Sequence, residues 1–399
     1  MSNKNRVPSI RFMGFKGEWA EKKFINCLAK IIDFRGKTPK KLGLSWSNNG
    51  KYRALSALNV KNGFIDKNID VHFGNYDLYK KWMGNTELEK GDILFTTEAP
   101  MGNIAIIKDD EKYILSQRTI AFRVDEKNIN GPFLLYKLNT VSTKNKLMSL
   151  STGGTAQGIS QKNLSYLFIS VSNDLNEQQK IGDFFTKLDK LLDLQQQKID
   201  KLELLKKALL KKLFPKHDAK IPELRFKGFE DVWESMKFKN ILNYERPDKY
   251  IVKSENYSNN GIPVLTANKS FILGYTQESS FYEKPLPIII FDDFTLDCKL
   301  VKFPFKIKSS AIKILSSNNF SDIWFDFYLL KATSFIKEGH ARHYISIVQN
   351  KKINVPCEQE QQKIGNLLSK VDQLIELENK KLQDFQQVKK CLLQNMFVE

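Results

Sequence analysis

The chain has 399 residues, too long for one ordinary domain and suited to two or three. Its 63 Lys and Arg residues outnumber 45 Asp and Glu, so the formal net charge is +18, and an apolar content of 41% excludes general disorder. The longest apolar run, Leu286–Phe291, is far shorter than the ~20 residues of a membrane span, and the opening MSNKNRVPSI lacks the apolar core of a signal peptide. We therefore expect a cytoplasmic protein, outside membranes, whose leading partner is an acidic polymer.

Two blocks of the sequence occur twice in the same order. Val7–Phe24 returns as Ile221–Phe238 with eight of 18 positions identical, and Glu177–Phe214 returns as Glu360–Phe397 with 16 of 38 identical. Both copies of the second block begin EQQKIG. The chain is therefore a tandem duplication of a short segment, a variable block and a long helix, and we expect the halves to share a fold.

The positive charge is concentrated in the first half. Residues 1–176 carry a net charge of +11, whereas residues 217–359 carry only +3. Lysine supplies 54 of the 63 basic residues, so a general lysine bias explains part of the total but not its uneven placement. The sequence predicts more phosphate contact from the first variable block if the partner is DNA.

The second repeated block predicts a long helix in each half, because apolar residues alternate at spacings of three and four without an internal Pro or Gly after Gly182 or Gly365. Both patterns are interrupted at the same heptad position, by Gln195 and by Glu378, where a polar residue commonly fixes register. The helices could pair with each other or pack on their own domains; matched lengths and matched polar breaks favour pairing. The seam residues are Ile181, Phe184, Leu188, Leu191, Gln195, Leu202, Leu205 and Leu209, and then Ile364, Leu367, Val371, Leu374, Glu378, Phe385, Val388 and Leu392.

The variable blocks are typical of mixed α/β structure. Short β-rich runs lie between Gly, Asn and Pro turns, and two apolar segments have helical character. The predicted strands are Ile104–Ile107, Thr119–Val124, Pro287–Phe291 and Ala311–Leu315, and the predicted helices start near Phe133–Leu138 and Trp324–Leu330.

Catalytic signatures are largely missing from the sequence. Gly36-Lys37-Thr38 lacks the earlier glycine of a phosphate-binding loop, and Pro39 prevents the helix that should follow. His340 and His343 have no nearby ligands to complete a zinc site, and no amino-methyltransferase motif of the N-P-P-F/Y type occurs. One acidic group, Asp292, Asp293 and Asp297 with Lys299, could belong to a metal-dependent nuclease, although no matching upstream acid is suitably spaced.

With catalytic motifs missing, the sequence favours a binding function, and the basic and polar residues of the variable blocks are its candidates. Lysine neutralises phosphate as a point charge, whereas the arginine fork matches guanine edges. Arg11 and Arg225 match across the repeat, so we expect them to be architectural. The candidate DNA-binding residues are Arg35, Lys37, Lys40, Lys41, Arg53, Lys61 and Arg118 in the first block, and Tyr244, Arg246, Lys249, Lys253, Asn268, Lys269 and Arg342 in the second.

Two variable blocks separated by repeated helices, each headed by EQQKI, resemble the specificity subunit of a type I restriction–modification system. Asp33–Lys41, DFRGKTPKK, and Thr155–Val171, TAQGISQKNLSYLFISV, are similar to the start and end of that family's target recognition domains. The resemblance covers essentially the whole chain. It implies an α+β fold: two α/β target recognition domains joined by two long helices that pair as an antiparallel coiled coil, in a pseudo-twofold tandem repeat.

The resemblance also implies a domain plan. Residues 1–24 form an N-terminal repeat segment, 25–172 the first recognition domain and 173–216 the central helix. Residues 217–356, opening with the repeat segment 221–238, form the second recognition domain, and 357–399 the C-terminal helix.

The implied activity is non-catalytic reading of double-stranded DNA. Each recognition domain would read one half of a bipartite asymmetric site. Two modification subunits would bind S-adenosylmethionine and methylate adenine, and up to two restriction subunits using ATP and Mg would join, while this chain binds no cofactor or metal. Two other classes stay open on the residues alone: a stand-alone Mg-dependent nuclease, and a coiled-coil protein scaffold that reads no sequence.

Overall fold

The computed structural model describes residues 6–152, 158–216, 219–267, 270–336 and 342–399. The chain divides into two compact units. The first unit is Met1–Leu194 with Leu382–Glu399, and the second unit is Gln195–Lys381. Both long helices contribute to both units, because the division falls within each helix.

Among its described residues, the first unit has three small sheets and four short α-helices, followed by the start of a long one. A four-stranded sheet has the order β2-β8-β5-β6, a three-stranded sheet the order β4-β3-β7, and β1 pairs with β9. The elements are β1 Ala20–Lys23, β2 Leu28–Asp33, β3 Tyr52–Leu55, β4 Phe73–Gly74, α1 Tyr76–Met83, β5 Ile93–Thr96, β6 Ile104–Ile106, β7 Tyr113–Leu115, β8 Thr119–Val124, α2 Gly131–Asn139, α3 Val141–Ser149, α4 Gln161–Leu164, β9 Phe168–Val171 and α5 Leu175–Lys212.

The second unit repeats this sheet plan. Its sheets have the orders β11-β17-β14-β15 and β13-β12-β16, and β10 pairs with β18. The elements are β10 Glu234–Lys237, β11 Leu242–Glu245, β12 Ile262–Leu265, β13 Ile272–Thr276, β14 Ile288–Asp292, β15 Cys298–Val301, β16 Lys306–Ile307, β17 Ile312–Ser317, α6 Ile323–Ala332, α7 His343–Ser346, β18 Lys352–Val355 and α8 Glu358–Asn395. The predicted strands and helix starts of both variable blocks are confirmed, and the variable blocks share one fold although their sequences differ.

An inner strand of each four-stranded sheet separates two cores. In β5, Ile93 and Phe95 pack into a core with the long-helix residues, while Leu94 faces a second core. In β14, Ile289 and Phe291 face one core and Ile290 the other. Because side chains alternate along a strand, a strand covered on both faces needs a continuous apolar run, and this explains the runs the sequence shows there.

The repeated Glu of EQQKIG anchors the repeated N-terminal segment. The Glu177 carboxylate is fully buried and accepts hydrogen bonds from Arg11 Nε at 2.6 Å and Nη2 at 2.9 Å. Trp19 Nε1 donates to it at 3.2 Å and Ser172 Oγ at 2.5 Å. The expectation that Arg11 is architectural is therefore confirmed, since its guanidinium joins the segment to the start of α5.

The following Gln and Gly of the motif dock the helix α2 on α5. Gln178 Oε1 accepts from the backbone N–H of Asn130 at 2.8 Å. A Cβ on Gly182 would lie 2.6 Å from Asn130 Oδ1 and 2.9 Å from the backbone nitrogen of Phe133, so only glycine permits this approach. Asn130 caps α2 through Phe133 N–H, and the contact therefore fixes where that helix begins.

The second unit uses the same residues for the same contacts. Glu360 accepts from Arg225 Nε and Nη2, both at 2.8 Å, which confirms Arg225 as architectural. Gln361 Oε1 accepts from Asp322 N–H at 3.0 Å, and a Cβ on Gly365 would lie 2.6 Å from Asp322 Oδ1. Asp322 is the N-cap of α6, the counterpart of α2.

The long helices run antiparallel within each unit. In the second unit, Gln195 Nε2 of α5 donates to the Glu378 carboxylate of α8 at 2.7 Å, and Lys206 pairs with Asp372 at 2.5 Å. Residue numbers thus fall along α8 as they rise along α5. In the first unit, Asp189 pairs with Lys389, and the Phe185 and Phe397 rings lie 5.8 Å apart, in the same descending order.

Six of the sixteen expected seam positions are corrected by the structure. Leu191, Leu205, Leu374 and Val388 are 44–49% exposed, and the residue after each occupies the seam instead. Where two apolar residues are adjacent, as in Leu191-Leu192, either one satisfies the heptad spacing, and the sequence alone does not choose between them. Elsewhere the seam residue is a lysine: Lys206 pairs with Asp372, and Lys389 pairs with Asp189. The seam positions are Ile181, Phe185, Leu188, Leu192, Gln195, Ile199, Leu202, Lys206, Leu209 and Leu213, and Ile364, Leu368, Val371, Ile375, Glu378, Leu382, Phe385, Lys389, Leu392 and Met396.

The two polar seam residues satisfy each other in the second unit. Glu378 accepts from Gln195 and from Lys198 Nζ at 2.8 Å, and these hydrogen bonds lower the pKa of its carboxyl to about 2. A buried polar pair of this kind costs stability relative to apolar packing and selects one register.

Asp326 makes the stability of the second unit depend on pH. Its carboxyl is fully buried on α6 and accepts from Ser317 and Ser321, and burial raises its pKa to about 7. The folded state holds this proton more tightly than the unfolded chain does. The protonated carboxyl therefore contributes fully to the free energy of unfolding below about pH 4, and this contribution is lost as pH rises through about 7. We expect wild type to lose unfolding free energy on the order of a few kcal/mol between about pH 4 and 7, and Asp326→Asn to abolish this loss, measured by urea unfolding. An unchanged slope with pH in the variant would contradict this assignment.

In the part of the chain that is described, no helix is long and apolar enough to cross a membrane.

Candidate nucleic-acid interface

Three loops of the first unit meet at one edge of its four-stranded sheet. Strand β2 ends at Asp33, opposite Ile120, and β5 ends at Thr96, opposite Thr119. The loop after β2, the loop after β5 and the turn before β8 therefore lie side by side. The backbone N–H of Thr97 donates to the Arg118 carbonyl at 2.9 Å, which ties two of them together.

A fourth segment joins this edge from the far end of the variable block. The Ile159 N–H donates to the Thr97 carbonyl at 3.0 Å, and Gln161 Nε2 donates to Asp33 at 2.7 Å. The turn carrying Lys61 also lies here, because Asn103 Nδ2 donates to the Val60 carbonyl at 3.0 Å. We call this loop cluster the first reading edge; it comprises residues 33–41, 60–65, 97–103, 116–119 and 158–161.

Arg35 is held within the first reading edge by an acidic neighbour. Its Nε donates to both Asp33 oxygens at 2.9 Å, and Nη2 donates to Oδ2 at 2.5 Å. The Asp33 carboxylate raises the pKa of the Arg35 guanidinium, and Arg35 and Gln161 hydrogen bonds hold the pKa of Asp33 below its usual value despite the opposing effect of burial. The arginine side chain is 29% exposed, so it is oriented without being buried.

The neighbouring lysines divide into one internal and two exposed residues. Lys37 donates to the Trp82 carbonyl and lies 4.6 Å from the centroid of the Phe34 ring, and burial lowers its pKa. Lys40 and Lys41 are exposed on a short 3-10 turn, with Lys41 Nζ 2.8 Å from the Gly36 carbonyl. Lys37 thus connects the loop to the Trp82 carbonyl, whereas the amines of Lys40 and Lys41 lie at the surface.

Arg118 and Arg53 have different surroundings. Arg118 is exposed, has a left-handed φ of 60°, and makes no side-chain hydrogen bond with any described residue. Arg53 lies on β3 of the other sheet, donates to the Lys67 carbonyl at 2.7 Å and covers the Phe73 ring at 4.6 Å. The structure does not bring Arg53 to the first reading edge.

The second unit presents a corresponding edge. Strand β11 ends at Glu245, opposite Ile314, and β14 ends at Asp292, opposite Ile312. The loops after β11 and β14 and the turn before β17 therefore adjoin, and the His343 N–H joins them by donating to the Asp293 carbonyl at 3.3 Å. We call this loop cluster the second reading edge; it comprises residues 244–249, 292–297, 309–311 and 342–344.

Three of the predicted residues gather at the second reading edge. The Tyr244 ring lies 5.4 Å from that of Tyr344, and burial raises the Tyr244 pKa. Arg246 is 80% exposed and 3.3 Å from Asp248, while Arg342 Nη2 donates to Ser310 Oγ at 3.2 Å. Neither guanidinium donates two nitrogens to one carboxylate, as Arg35 does to Asp33.

The other predicted residues of the second variable block either are exposed or lie outside the described residues. Lys249 and Lys253 are exposed, and their backbones are engaged: the Lys249 carbonyl accepts from Ser280 Oγ at 3.1 Å and the Lys253 N–H donates to Glu278 at 2.9 Å. Asn268 and Lys269 lie outside the described residues.

Several residues that organise these edges were not predicted. Asp293 is buried, accepts from the Tyr344 N–H at 2.7 Å and pairs with Lys313 at 3.0 Å, where both side chains are under 5% exposed. At the first edge, Asp33 and Gln161 orient Arg35. The sequence signal for Asp33 is only its place two residues before Arg35, whereas Gln161 is distant in sequence and has none.

The acids proposed for a nuclease are engaged within the second reading edge. Asp292 Oδ1 accepts the backbone N–H groups of Phe294 and Thr295 at 2.9 and 2.8 Å. Asp293 is the buried partner of Lys313. Across the ranges the structure describes, no cluster of three or more His, Cys, Asp or Glu side chains could hold a metal ion.

Two copies of one mixed α/β domain, each with a loop cluster at the same edge of its four-stranded sheet and joined to antiparallel helices, define a class of two-domain sequence readers. The family model for the type I restriction modification DNA specificity domain matches residues 17–204 and 230–387. The chain belongs to this family of type I restriction–modification specificity subunits, whose members are non-catalytic.

Curated relatives agree with this assignment. The chain is 38% identical over 156 residues to the EcoR124I/EcoR124II specificity subunit of Escherichia coli, a match that spans 37% of this chain and 38% of that protein. It is 25% identical over 360 residues to the putative MjaX specificity subunit of Methanocaldococcus jannaschii, spanning 82% and 83% of the two chains.

Solved structures share the fold. The S subunit of a type I restriction–modification system from M. genitalium matches with a TM-score of 0.67 at 17% identity, covering 98% of this chain and 99% of that one. A chain from a study of complex assembly and conformational transition of the type I system matches with a TM-score of 0.51 at 13% identity, covering 95% and 97%.

Proposed function

We propose that each reading edge recognises one half of a bipartite, asymmetric DNA site and that the chain directs adenine methylation there. Two modification subunits would bind S-adenosylmethionine and carry out the adenine-N6 transfer. Up to two restriction subunits would supply cleavage driven by ATP and Mg. The domain plan given above, 1–24, 25–172, 173–216, 217–356 and 357–399, is part of the proposal.

One observation carries this proposal: the two reading edges occupy the same position on the same fold but present different side chains. The first edge offers Arg35 and Arg118 with Lys40 and Lys41, whereas the second offers Tyr244, Arg246 and Arg342. Groove-reading side chains determine which bases are accepted, so one fold with unlike edges suits two unlike half-sites.

Exchange of the first variable block tests the proposal. Residues 25–172 would be replaced by the corresponding block of another family member and the chain expressed with its modification subunit. We expect single-molecule sequencing to show a changed first half and an unchanged second half of the methylated sequence. A scaffold that reads no sequence would leave both halves unchanged, and a stand-alone nuclease would instead cleave DNA with Mg²⁺ as a purified chain.

The salt dependence of DNA affinity tests whether the charge difference between the two variable blocks affects binding. Each lysine that neutralises a phosphate steepens the dependence of log affinity on log salt by about 0.9. We expect Lys40→Gln with Lys41→Gln to flatten this slope by up to about 1.8 in fluorescence titrations. The matched pair Lys249→Gln with Lys253→Gln in the second block should flatten it less, because that block carries little excess charge. Equal flattening would show that the charge imbalance has no role in binding.

A further inference from the structure

We infer that Arg35 reads a guanine in the half-site of the first reading edge and that Asp33 and Gln161 are positioning residues for it. This inference rests on the proposed function and adds to it the base, the reading group and the residues that aim it.

The hydrogen bonds of Arg35 leave one particular face of its guanidinium free. Asp33 occupies the side formed by Nε and Nη2. A guanidinium has five N–H donors, so the opposite, end-on fork of Nη1 and Nη2 keeps one hydrogen on each nitrogen. No described residue accepts a hydrogen bond from Nη1. This end-on fork matches the O6 and N7 acceptors of guanine in the major groove.

The carboxylate that holds Arg35 is itself held from two directions. The Arg35 backbone N–H donates to Asp33 Oδ1 at 3.0 Å, and Gln161 Nε2 donates to Oδ2 at 2.7 Å. Asp33 is the last residue of β2, and Gln161 begins α4, which Ser160 caps. The guanidinium is therefore oriented by residues at the end of β2 and the start of α4 before DNA arrives, which reduces the entropy lost on binding.

A purely architectural role does not account for the arrangement. Asp33, the last residue of β2, and Arg35, in the loop that follows, are two residues apart, so their ion pair joins no distant elements, unlike the pair of Arg11 with Glu177. Arg35 also remains 29% exposed, whereas Arg11 is 14% exposed against a fully buried partner. An arginine that is oriented but accessible fits contact with an external acceptor.

The charge at this site favours a base edge over a phosphate. Asp33 and Glu98 both act electrostatically on Arg35 and raise its pKa. Two nearby carboxylates disfavour a phosphate anion at the same point, while the neutral O6 and N7 acceptors of guanine are tolerated. Lys40, Lys41 and Arg118 supply the phosphate-directed charge around it.

The experiment uses the complex of the full chain with its modification subunit and a duplex library randomised in the first half-site. Methylated molecules would be sequenced. We expect wild type to require guanine at one position and Arg35→Lys, which keeps the charge but loses the fork, to relax that position by roughly ten- to a hundred-fold. Asp33→Asn and Gln161→Ala should relax the same position less, and all other positions should stay unchanged.

Three results would refute the guanine contact of Arg35 and leave the proposed function standing. A first half-site without any G·C pair would exclude the contact, and an even loss of affinity at all positions in Arg35→Lys would indicate a phosphate contact. Unchanged discrimination in Arg35→Lys would also refute it. Arg123→Lys is the matched control, because that guanidinium also donates to a carboxylate, Asp92, and lies outside the first reading edge. Thermal unfolding of each variant would report any loss of folding. Failure of the proposed function would appear separately, as a first half-site that does not follow the exchanged block.

Discussion

Replacing Glu177 by alanine should unfold or loosen the first unit more than any surface change. The variant leaves the Arg11 guanidinium, 14% exposed, without its carboxylate, and it removes the acceptor for Trp19 and Ser172. Breaking a buried ion pair on one side costs about 3–5 kcal/mol, because the remaining charge stays desolvated and unpaired.

Hydrogen exchange would measure this loss separately in each unit. We expect faster exchange in β1, β9 and the start of α5, with the second unit unaffected. Glu223→Ala is the matched control, because Glu223 makes only exposed pairs with Lys212 and Lys216 and should change little. The double variant Arg11→Leu with Glu177→Leu should recover much of the stability, since apolar residues can replace a buried pair. Equal losses in the single and the double variant would argue against the desolvation explanation.

Replacing Lys313 by methionine should disorganise the second reading edge. Asp293 would remain buried without its cation, while still accepting the Tyr344 N–H that positions the segment carrying Arg342. The expected cost is about 3–5 kcal/mol for the same reason of an unpaired buried charge. If this edge reads DNA, methylation should lose discrimination in the second half-site and keep it in the first.

An exposed pair in the same unit provides the comparison for this variant. Lys308 lies 3.7 Å from Glu255, and both side chains are largely exposed. Lys308→Met removes the same charge and should leave both urea unfolding and the methylated sequence nearly unchanged. A similar loss of second-half discrimination in Lys308→Met would mean that charge near the edge matters and the buried anchor does not.

The duplication, the matched helices and the architectural arginines were all readable from the sequence. Each depends on identity between two copies of one segment, and the paired contacts of Arg11 with Glu177 and of Arg225 with Glu360 explain why those residues are kept in both. Family membership followed from the same evidence. The individual DNA-contacting residues remain predictions, because a basic side chain in a loop has the same sequence signal whether it faces DNA or solvent.

The sequence by itself determined the heptad period, the polar break at Gln195 and Glu378, and the apolar runs of the inner strands, since these are local patterns. Only the tertiary structure decided which residue of each apolar pair enters the seam, because the choice depends on the face a partner helix covers. It also decided that Lys37 donates to the carbonyl of Trp82, 45 residues away, while Arg35 stays accessible beside Asp33, to which Gln161 donates from 128 residues away. Such pairings depend on which loops the sheet register brings together, and no local pattern in the chain encodes them.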